Sequence, residues 1–179
     1  YTGNTMVTAG TLAFGASHVL SNSSALSVNG ASAVFDLGSF SDAVSGVSIG
    51  SNGGSITSST GTLTGSSYTF SPGSGNTVSV TARLAGSAAL THDGVGTTTL
   101  SGANTYTGAT TINAGTLNLT GGNVSIGNGT GNLTLGTTGS VGTMNLGNGS
   151  SVGSLLAARV VSGSGSGIVN FNNDADYTF

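Results

Sequence analysis

The chain has 179 residues, 33 of them glycine, with two arginines, five aspartates and a formal net charge of −3. Charged residues make up 4% of the chain, against about 25% in an ordinary soluble domain. This excludes the basic patch that nucleic acid requires, and a mean hydropathy of +0.24 excludes charge-driven disorder. The absence of cysteine excludes a disulfide framework and a thiolate metal site. No apolar run approaches the length of a transmembrane helix.

Strand-forming segments recur along the whole chain. Thr, Val, Ser and Gly are abundant while helix-favouring runs of Ala, Leu, Glu and Lys are scarce, which predicts an all-β protein. The segments alternate apolar and polar residues, so each is expected to bury one face. In the first segment Leu12 and Phe14 are the inward residues. In chain order the segments are 10–14, 26–28, 61–64, 78–80, 117–119, 124–126, 133–135, 144–146 and 169–171.

Asn-Gly pairs punctuate these segments, at 29–30, 52–53, 128–129 and 148–149. An Asn-Gly pair is typical of a two-residue hairpin, which would give an antiparallel sandwich. It also suits the corner of a coil, because both residues tolerate a positive φ. A stack of parallel coils places like residues above like and explains the narrow choice of residues. We therefore expect a parallel β-helix, and we interpret the Gly-rich segments 127–131 and 163–167 as corners.

A long internal repeat supports this expectation. The stretch LSGANTYTGATTINAGTL begins at Leu100, and its second half, residues 106–117, matches residues 1–12. The triplet at 68–70 returns at 177–179. The sequence predicts one domain over 1–179, made of a unit at 1–105 and a truncated unit at 106–179 and cut from a longer array. With about 20–25 residues per coil, the chain would form roughly seven to nine coils.

The stretch from Gly96 to Leu117, GTTTLSGANTYTGATTINAGTL, resembles the autotransporter-passenger-associated strand repeat. The flanks at 28–38 and 167–179 are similar in style to such passengers. The resemblance implies a right-handed parallel β-helix, a single-stranded solenoid, exported to the outer face of a Gram-negative cell. It also implies a role as stalk, adhesin or aggregation factor. It implies no enzymatic activity, because the repeat is a scaffold.

The carboxylates do not form a predicted catalytic set. A polysaccharide-cleaving enzyme on a β-helix needs clustered carboxylates. Asp174 and Asp176 are two residues apart, so they could share a face and bind calcium, or lie in a solvated loop. Asp36 is expected to point outward between two inward apolar residues. The five carboxylates are Asp36, Asp42, Asp93, Asp174 and Asp176.

Other polar residues give no catalytic pattern either. His92 and Asp93 are adjacent, so on a strand they point to opposite faces and cannot form a triad with Ser101. We interpret His18, Arg83 and Arg159 as exposed polar positions. The four tyrosines are interpreted as packing or coil-capping residues at equivalent repeat positions rather than a carbohydrate-stacking platform; they are Tyr1, Tyr68, Tyr106 and Tyr177. No catalytic, cofactor-binding or metal-binding residue is predicted.

The sequence leads to one main hypothesis, a non-catalytic module at the cell surface that acts as stalk, adhesin or self-associating fibre. Expected partners are further copies, end to end or side by side, or a receptor or glycan on a host or cell surface. Nucleic acid and membrane insertion by this segment are not expected. Two alternatives stay open: a polysaccharide lyase or hydrolase on the same scaffold, and an ice-binding array of threonines such as Thr97, Thr98 and Thr99.

Overall fold

The computed structural model describes residues 1–121, 130–137, 139–147 and 159–172. In these residues every regular element is a β-strand, as the sequence predicts. None of the described elements is a helix that could cross a membrane. Several sequence predictions lie outside the described residues: the strand at 124–126, the Asn-Gly pairs at 128–129 and 148–149, Asp174, Asp176 and Tyr177.

Nineteen strands among the described residues form three sheets. Sheet 1 has eight strands: β1 (Thr5–Val7), β3 (Ala25–Val28), β6 (Gly46–Ile49), β9 (Tyr68–Phe70), β12 (Leu90–His92), β14 (Thr110–Ile112), β16 (Leu133–Leu135) and β18 (Val160–Ser162). Sheet 2 has eight: β2 (Gly10–Ala13), β4 (Ala33–Asp36), β7 (Gly54–Thr57), β10 (Thr77–Val80), β13 (Thr97–Leu100), β15 (Gly115–Leu119), β17 (Val141–Leu146) and β19 (Ser166–Phe171). Sheet 3 has three: β5 (Asp42–Val44), β8 (Thr62–Gly65) and β11 (Arg83–Ala85).

Each strand pairs in parallel with the strand one coil away, for example β1 with β3 and β2 with β4. The chain alternates between sheets 1 and 2 as it climbs, so it forms a β-solenoid of about seven turns. We call each turn a rung. Stacked polar residues are 19 to 27 positions apart, as for Thr99 with Asn118 and Asn118 with Asn145. The parallel solenoid is confirmed, and the antiparallel sandwich is wrong.

The first two Asn-Gly pairs are corners of the solenoid. Gly53 has a φ of 75°, which a residue with a Cβ rarely adopts. The Oδ1 atom of Asn29 accepts a hydrogen bond of 3.0 Å from the backbone N–H of Asn52, one rung above. Because a side chain thus bonds to the next corner, the corners stack as the strands do. In the Gly-rich segment at 163–167, residues 163–165 form the corner and β19 begins at Ser166.

The core is a column of side chains along the solenoid axis. The inward positions of sheet 1 place Val28, Ile49 and Phe70 above one another in register. In sheet 2 the matching column includes Phe35 and Ile56. All five are at most 1% exposed. Packing these side chains removes apolar area from water in every rung. The burial stabilises the fold by roughly 1.5–3 kcal/mol for each large side chain.

The first and last strands of sheet 2 differ from the predicted pattern. Leu12 points toward the axis but is 39% exposed, and Phe14 is half-buried with its ring 5.0 Å from that of Phe35. At the opposite end Val169 is half-buried and Phe171 is 47% exposed. Among the described strands β2 and β19 each pair on one side only. The expectation of burial is therefore met in part by Phe14 and Val169 and is wrong for Leu12 and Phe171.

Side chains complete the backbone hydrogen bonds at both edges of sheet 3. Asp42 is buried, and its Oδ2 atom accepts from the backbone N–H groups of Val19 at 2.8 Å and Leu20 at 3.0 Å. At the other edge the Oδ1 atom of Asn104 accepts from the N–H of Leu84 at 3.0 Å. Sheet 3 forms only part of the third side of the solenoid, and the rest of that side is irregular chain. These side-chain acceptors pair the backbone amides of Val19, Leu20 and Leu84 where strand and irregular chain meet.

Candidate binding surfaces

The described carboxylates are separate and each has a structural partner. Asp36 accepts from the N–H of Gly38 at 2.9 Å and from the hydroxyl of Thr57 at 2.9 Å, and its half-exposed position confirms that it points outward. Asp93 is exposed and contacts the amide of Asn113. With Asp42 bound at the edge of sheet 3, no two described carboxylates form an acid–base pair. The described residues contain no group of three or more possible metal ligands.

His92 is the only histidine among the core residues of the described chain. It occupies the inward column of sheet 1 between Phe70 and Ile112, is 0% exposed, and its Nδ1 lies 3.0 Å from the hydroxyl of Thr98. Burial lowers the pKa of His92 to about 4, with the carbonyl of Gly96 and then the carboxylate of Asp93 opposing the shift. Its Nε2 has no hydrogen-bond partner among the described residues. The imidazole is therefore a neutral core group.

The structure confirms that His92 and Asp93 face opposite ways. His92 is buried and Asp93 is exposed, while Ser101 is exposed on another side of the solenoid. The three side chains therefore cannot relay a proton. His18, Arg83 and Arg159 are all exposed, as the sequence predicts.

The tyrosines do not share one repeat position. Tyr68 begins β9, whereas Tyr106 lies in the irregular segment four residues before β14. Both are buried with ring centroids 6.0 Å apart, and burial raises the pKa of each phenol. Tyr1 is instead 72% exposed. The packing role is confirmed for Tyr68 and Tyr106, but the expectation is wrong for Tyr1, whose hydroxyl donates to the carbonyl of Asn4 at the exposed surface.

Sheet 1 presents an uncharged column of hydroxyls to solvent. These residues occupy successive rungs in register, and each is half-buried by its neighbours. Parallel pairing spaces them about 4.8 Å apart. We call this column the hydroxyl ladder; it consists of Ser27, Ser48, Thr69, Thr91, Thr111 and Thr134.

Sheet 2 carries two further polar columns on its outer face. One contains Thr77, Thr97, Thr116 and Thr143 in register. In the other, the amide of Asn145 donates to Asn118 at 2.7 Å and that of Asn170 donates to Asn145 at 2.8 Å. Thr98 is not part of either column, because it is fully buried against His92. The interpretation of Thr97, Thr98 and Thr99 as one exposed array is therefore wrong for Thr98.

A small polar groove lies where sheet 2 turns into sheet 3. Its volume is about 270 Å³, and the exposed guanidinium of Arg83 stands at one side. We call it the Arg83 groove; it is lined by Ser58, Ser59, Thr60, Gly61, Thr81, Arg83 and Ala103.

Sequence reasoning missed this groove because its residues are far apart along the chain. Ser58 and Thr81 are 23 residues apart, about one rung, and the N–H of Ser58 donates to the hydroxyl of Thr81 at 3.2 Å. The length of one rung is the sequence signal that could have identified the groove. Aligning the chain by rungs places the Ser-Ser-Thr run at 58–60 beside residues 81–83.

The architecture thus defines the class of the protein, a parallel β-solenoid with polar, nearly uncharged outer faces. The family model described as passenger-associated-transport-repeat matches residues 1–14 and 90–123. The chain is also similar to the adhesin BmaC autotransporter of Brucella suis biovar 1, with 36% identity over 118 residues. That match covers 65% of this chain and 3% of the relative's length. No solved structure matches the chain.

The resemblance noted in the sequence is confirmed by these matches. The chain is similar to autotransporter passenger repeats, and the described parts of both matched segments lie on the solenoid. Residues 1–14 include β1 and β2, and residues 90–123 include β12 to β15. The repeated sequence therefore corresponds to pairs of strands from sheets 1 and 2.

Proposed function

We propose that this chain is a non-catalytic adhesive module, displayed at a bacterial surface or secreted, whose outer faces make the contacts. The observation that carries the proposal is the hydroxyl ladder, an uncharged column in register along sheet 1. Hydroxyls at regular spacing can both donate hydrogen bonds to a partner's polar groups and accept them. The adhesin name of the relative supports the same function.

Contact with further copies of the chain is part of this proposal. Charged side chains are the usual defence against association of exposed sheets, and only 4% of this chain is charged. None of the six ladder residues carries a charge. Two ladders can therefore approach side by side without electrostatic repulsion, which favours lateral association of solenoids.

The experiment introduces charge into the ladder. Ser48→Glu combined with Thr91→Glu places two carboxylates on the outer face of sheet 1, where neither side chain fills the core. We expect the double variant to remain monomeric in analytical ultracentrifugation at concentrations where the native chain associates. Bacteria displaying the variant should also adhere less to one another and to a cell layer than bacteria displaying the native chain.

A matched control places the same charge elsewhere. Ser66 and Ser87 are exposed at the corner that precedes sheet 1 and are not part of the hydroxyl ladder. Ser66→Glu combined with Ser87→Glu should leave association and adhesion unchanged. Equal losses in both double variants, or no loss in the ladder variant, would contradict the proposal. So would cleavage of a polysaccharide that disappears in Asp93→Asn.

A second candidate function is ice binding, favoured by one observation. Thr77, Thr97, Thr116 and Thr143 form an unbroken column on sheet 2, and Ser79 and Thr99 stand beside two of them. A regular grid of threonines can order water on a flat face. Thermal hysteresis in the native chain that is lost in Thr97→Lys would support this function, and its absence in the native chain would exclude it.

A further inference from the structure

We propose that the Arg83 groove binds a sugar unit carrying an anionic group, either a carboxylate or a sulfate ester. This deepens the adhesive function by naming a ligand class and a site. The site is separate from the hydroxyl ladder, since the groove lies between sheets 2 and 3 and the ladder lies on sheet 1.

The groove carries one positive charge, that of Arg83. Arg83 is one of two cationic side chains in the sequence, and it pairs in register with Thr62 on the outer face of sheet 3. Its guanidinium is exposed, and no described carboxylate forms an ion pair with it. Asp36, two rungs away on sheet 2, is engaged by Gly38 and Thr57. A guanidinium offers a planar fork of donors that matches a carboxylate or sulfate in two-point contact.

The opposite wall of the groove is held in place before any ligand arrives. The hydroxyls of Ser58 and Ser59 donate to the carbonyl of Gly38 at 2.8 and 3.0 Å, and the N–H of Ser59 donates to it at 2.8 Å. At Gly61 a Cβ atom would overlap the carbonyl oxygen of Phe40, so the corner packs directly on the rung below. A wall that is already ordered loses little entropy on binding.

The wall offers the hydrogen-bonding groups that a sugar requires. Thr81 accepts from the N–H of Ser58, so its own hydroxyl proton is free to donate to a ligand. Ser58 and Ser59 use their protons on Gly38 and keep lone pairs that can accept from sugar hydroxyls. Thr60 is exposed at the rim. The groove thus combines donors, acceptors and one cation within reach of one small ligand.

The size of the groove limits that ligand. Its volume of about 270 Å³ lies just below the range of about 300–1,000 Å³ that holds drug-sized molecules. The fit is therefore to one sugar ring of a longer chain. Nucleic acid is not the expected polyanion, because one arginine cannot neutralise a run of phosphates.

The experiment measures binding of three labelled oligosaccharides to the full 179-residue chain. The probes are trigalacturonic acid, a sulfated dextran trisaccharide and neutral maltotriose. We expect one or both anionic probes to bind and maltotriose to bind at least roughly tenfold more weakly, since a charge-assisted contact is lost. Binding of trigalacturonic acid alone assigns the site to carboxylates, and binding of the sulfated probe alone assigns it to sulfate esters.

The variants separate this groove from general charge attraction. Arg83→Gln should weaken binding of the anionic probe by roughly tenfold or more. Arg83→Lys should keep only part of the native affinity, because an ammonium lacks the planar fork of donors. Arg159→Gln removes the same charge from an exposed site immediately before β18 and should change nothing. Equal effects of Arg83→Gln and Arg159→Gln, or equal binding of maltotriose, would overturn the proposal.

The two proposals can fail separately. If no anionic probe binds while the native chain still associates and adheres, the groove assignment is wrong and the adhesive function remains. If the probe binds through Arg83 while the ladder variant adheres like the native chain, the ladder proposal is wrong and the groove assignment remains.

Discussion

Leu100 and Leu12 occupy the same inward column of sheet 2 but have different surroundings. Leu100 lies in β13 between β10 and β15 and is 0% exposed. Leu12 lies in β2, which among the described strands pairs with β4 alone, and is 39% exposed. The two residues have the same side chain and the same alternating pattern, so the difference comes from the number of neighbouring rungs.

This difference shows where the stability of a solenoid resides. Each rung contacts the rungs above and below it, so its stability is a sum of nearest-neighbour terms. Middle rungs have two such neighbours and terminal rungs have one. The interior column therefore supplies the stability, while the outer columns are free to carry polar residues for contact.

The largest expected effect is a cavity in the middle rungs. Leu100→Ala should lower the free energy of unfolding by about 2–5 kcal/mol, because the fully enclosed site cannot collapse. Leu12→Ala should cost below about 1 kcal/mol, since water already reaches that side chain. Chemical denaturation measures both. Similar losses at the two sites would contradict the importance of the neighbouring rungs.

Acid should weaken the middle rungs through His92. Its pKa is about 4 in the folded protein and 6.5 in the reference state, so the unfolded chain takes up the proton first. The contribution of the neutral imidazole is fully present above pH 6.5. It is lost as the pH falls to about 4, by on the order of 3 kcal/mol.

Unfolding curves between pH 4 and 7 measure this effect. His92→Leu should remove most of the pH dependence in that range. His18→Asn is the matched control, because His18 is exposed with a φ of 58°, which asparagine tolerates. A native chain that is equally stable at pH 4.5 and pH 7 would show that His92 is not enclosed as described.

A smaller loss is expected at the edge of sheet 3. Asp42→Ala leaves the N–H groups of Val19 and Leu20 without their acceptor, at a cost of about 1–3 kcal/mol. Asp93→Ala, at an exposed carboxylate, is the control and should cost much less. Hydrogen exchange at residues 19 and 20 should accelerate only in Asp42→Ala. Unchanged protection there would contradict the edge-capping role.

The smallest effect is expected on the outer face of the middle rungs. Thr111→Val keeps the shape of a half-buried ladder residue and removes its hydroxyl. Stability should change by no more than about 0.5 kcal/mol, while adhesion should fall if the hydroxyl contacts a partner. A large loss of stability would place the ladder among the structural residues.

The sequence predicts most of the fold because the strand pattern and the repeat are local signals. Period-two alternation identifies residues such as Leu117 and Leu119 as inward, and both are buried. It does not show that Leu12 is 39% exposed, since exposure depends on neighbours in space. Nor does it show that Asp42 is buried, because the amides it accepts from lie 22 and 23 residues earlier.

For the candidate sites too, local features can be predicted from the sequence and contacts between rungs cannot. The absence of a triad at His92 and Asp93 follows from strand geometry alone. The inward position of Thr98 follows from the same alternation, because it lies two residues before the inward Leu100. The groove around Arg83 depends on how one rung is placed over the next. Residues one rung apart become neighbours, and only the register identifies which ones.

The register of the rungs is the central claim, and spin-label distances along the hydroxyl ladder test it most directly. The native chain has no cysteine, so pairs can be introduced at Ser27 with Thr134 and at Ser48 with Thr134. Five and four rungs separate these pairs, which predicts about 24 Å and about 19 Å between backbone positions. Double electron–electron resonance should show a narrow distance distribution for each pair, with means that differ by about one rung spacing. Equal means, broad distributions or a reversed order would contradict the parallel stack and the surfaces derived from it.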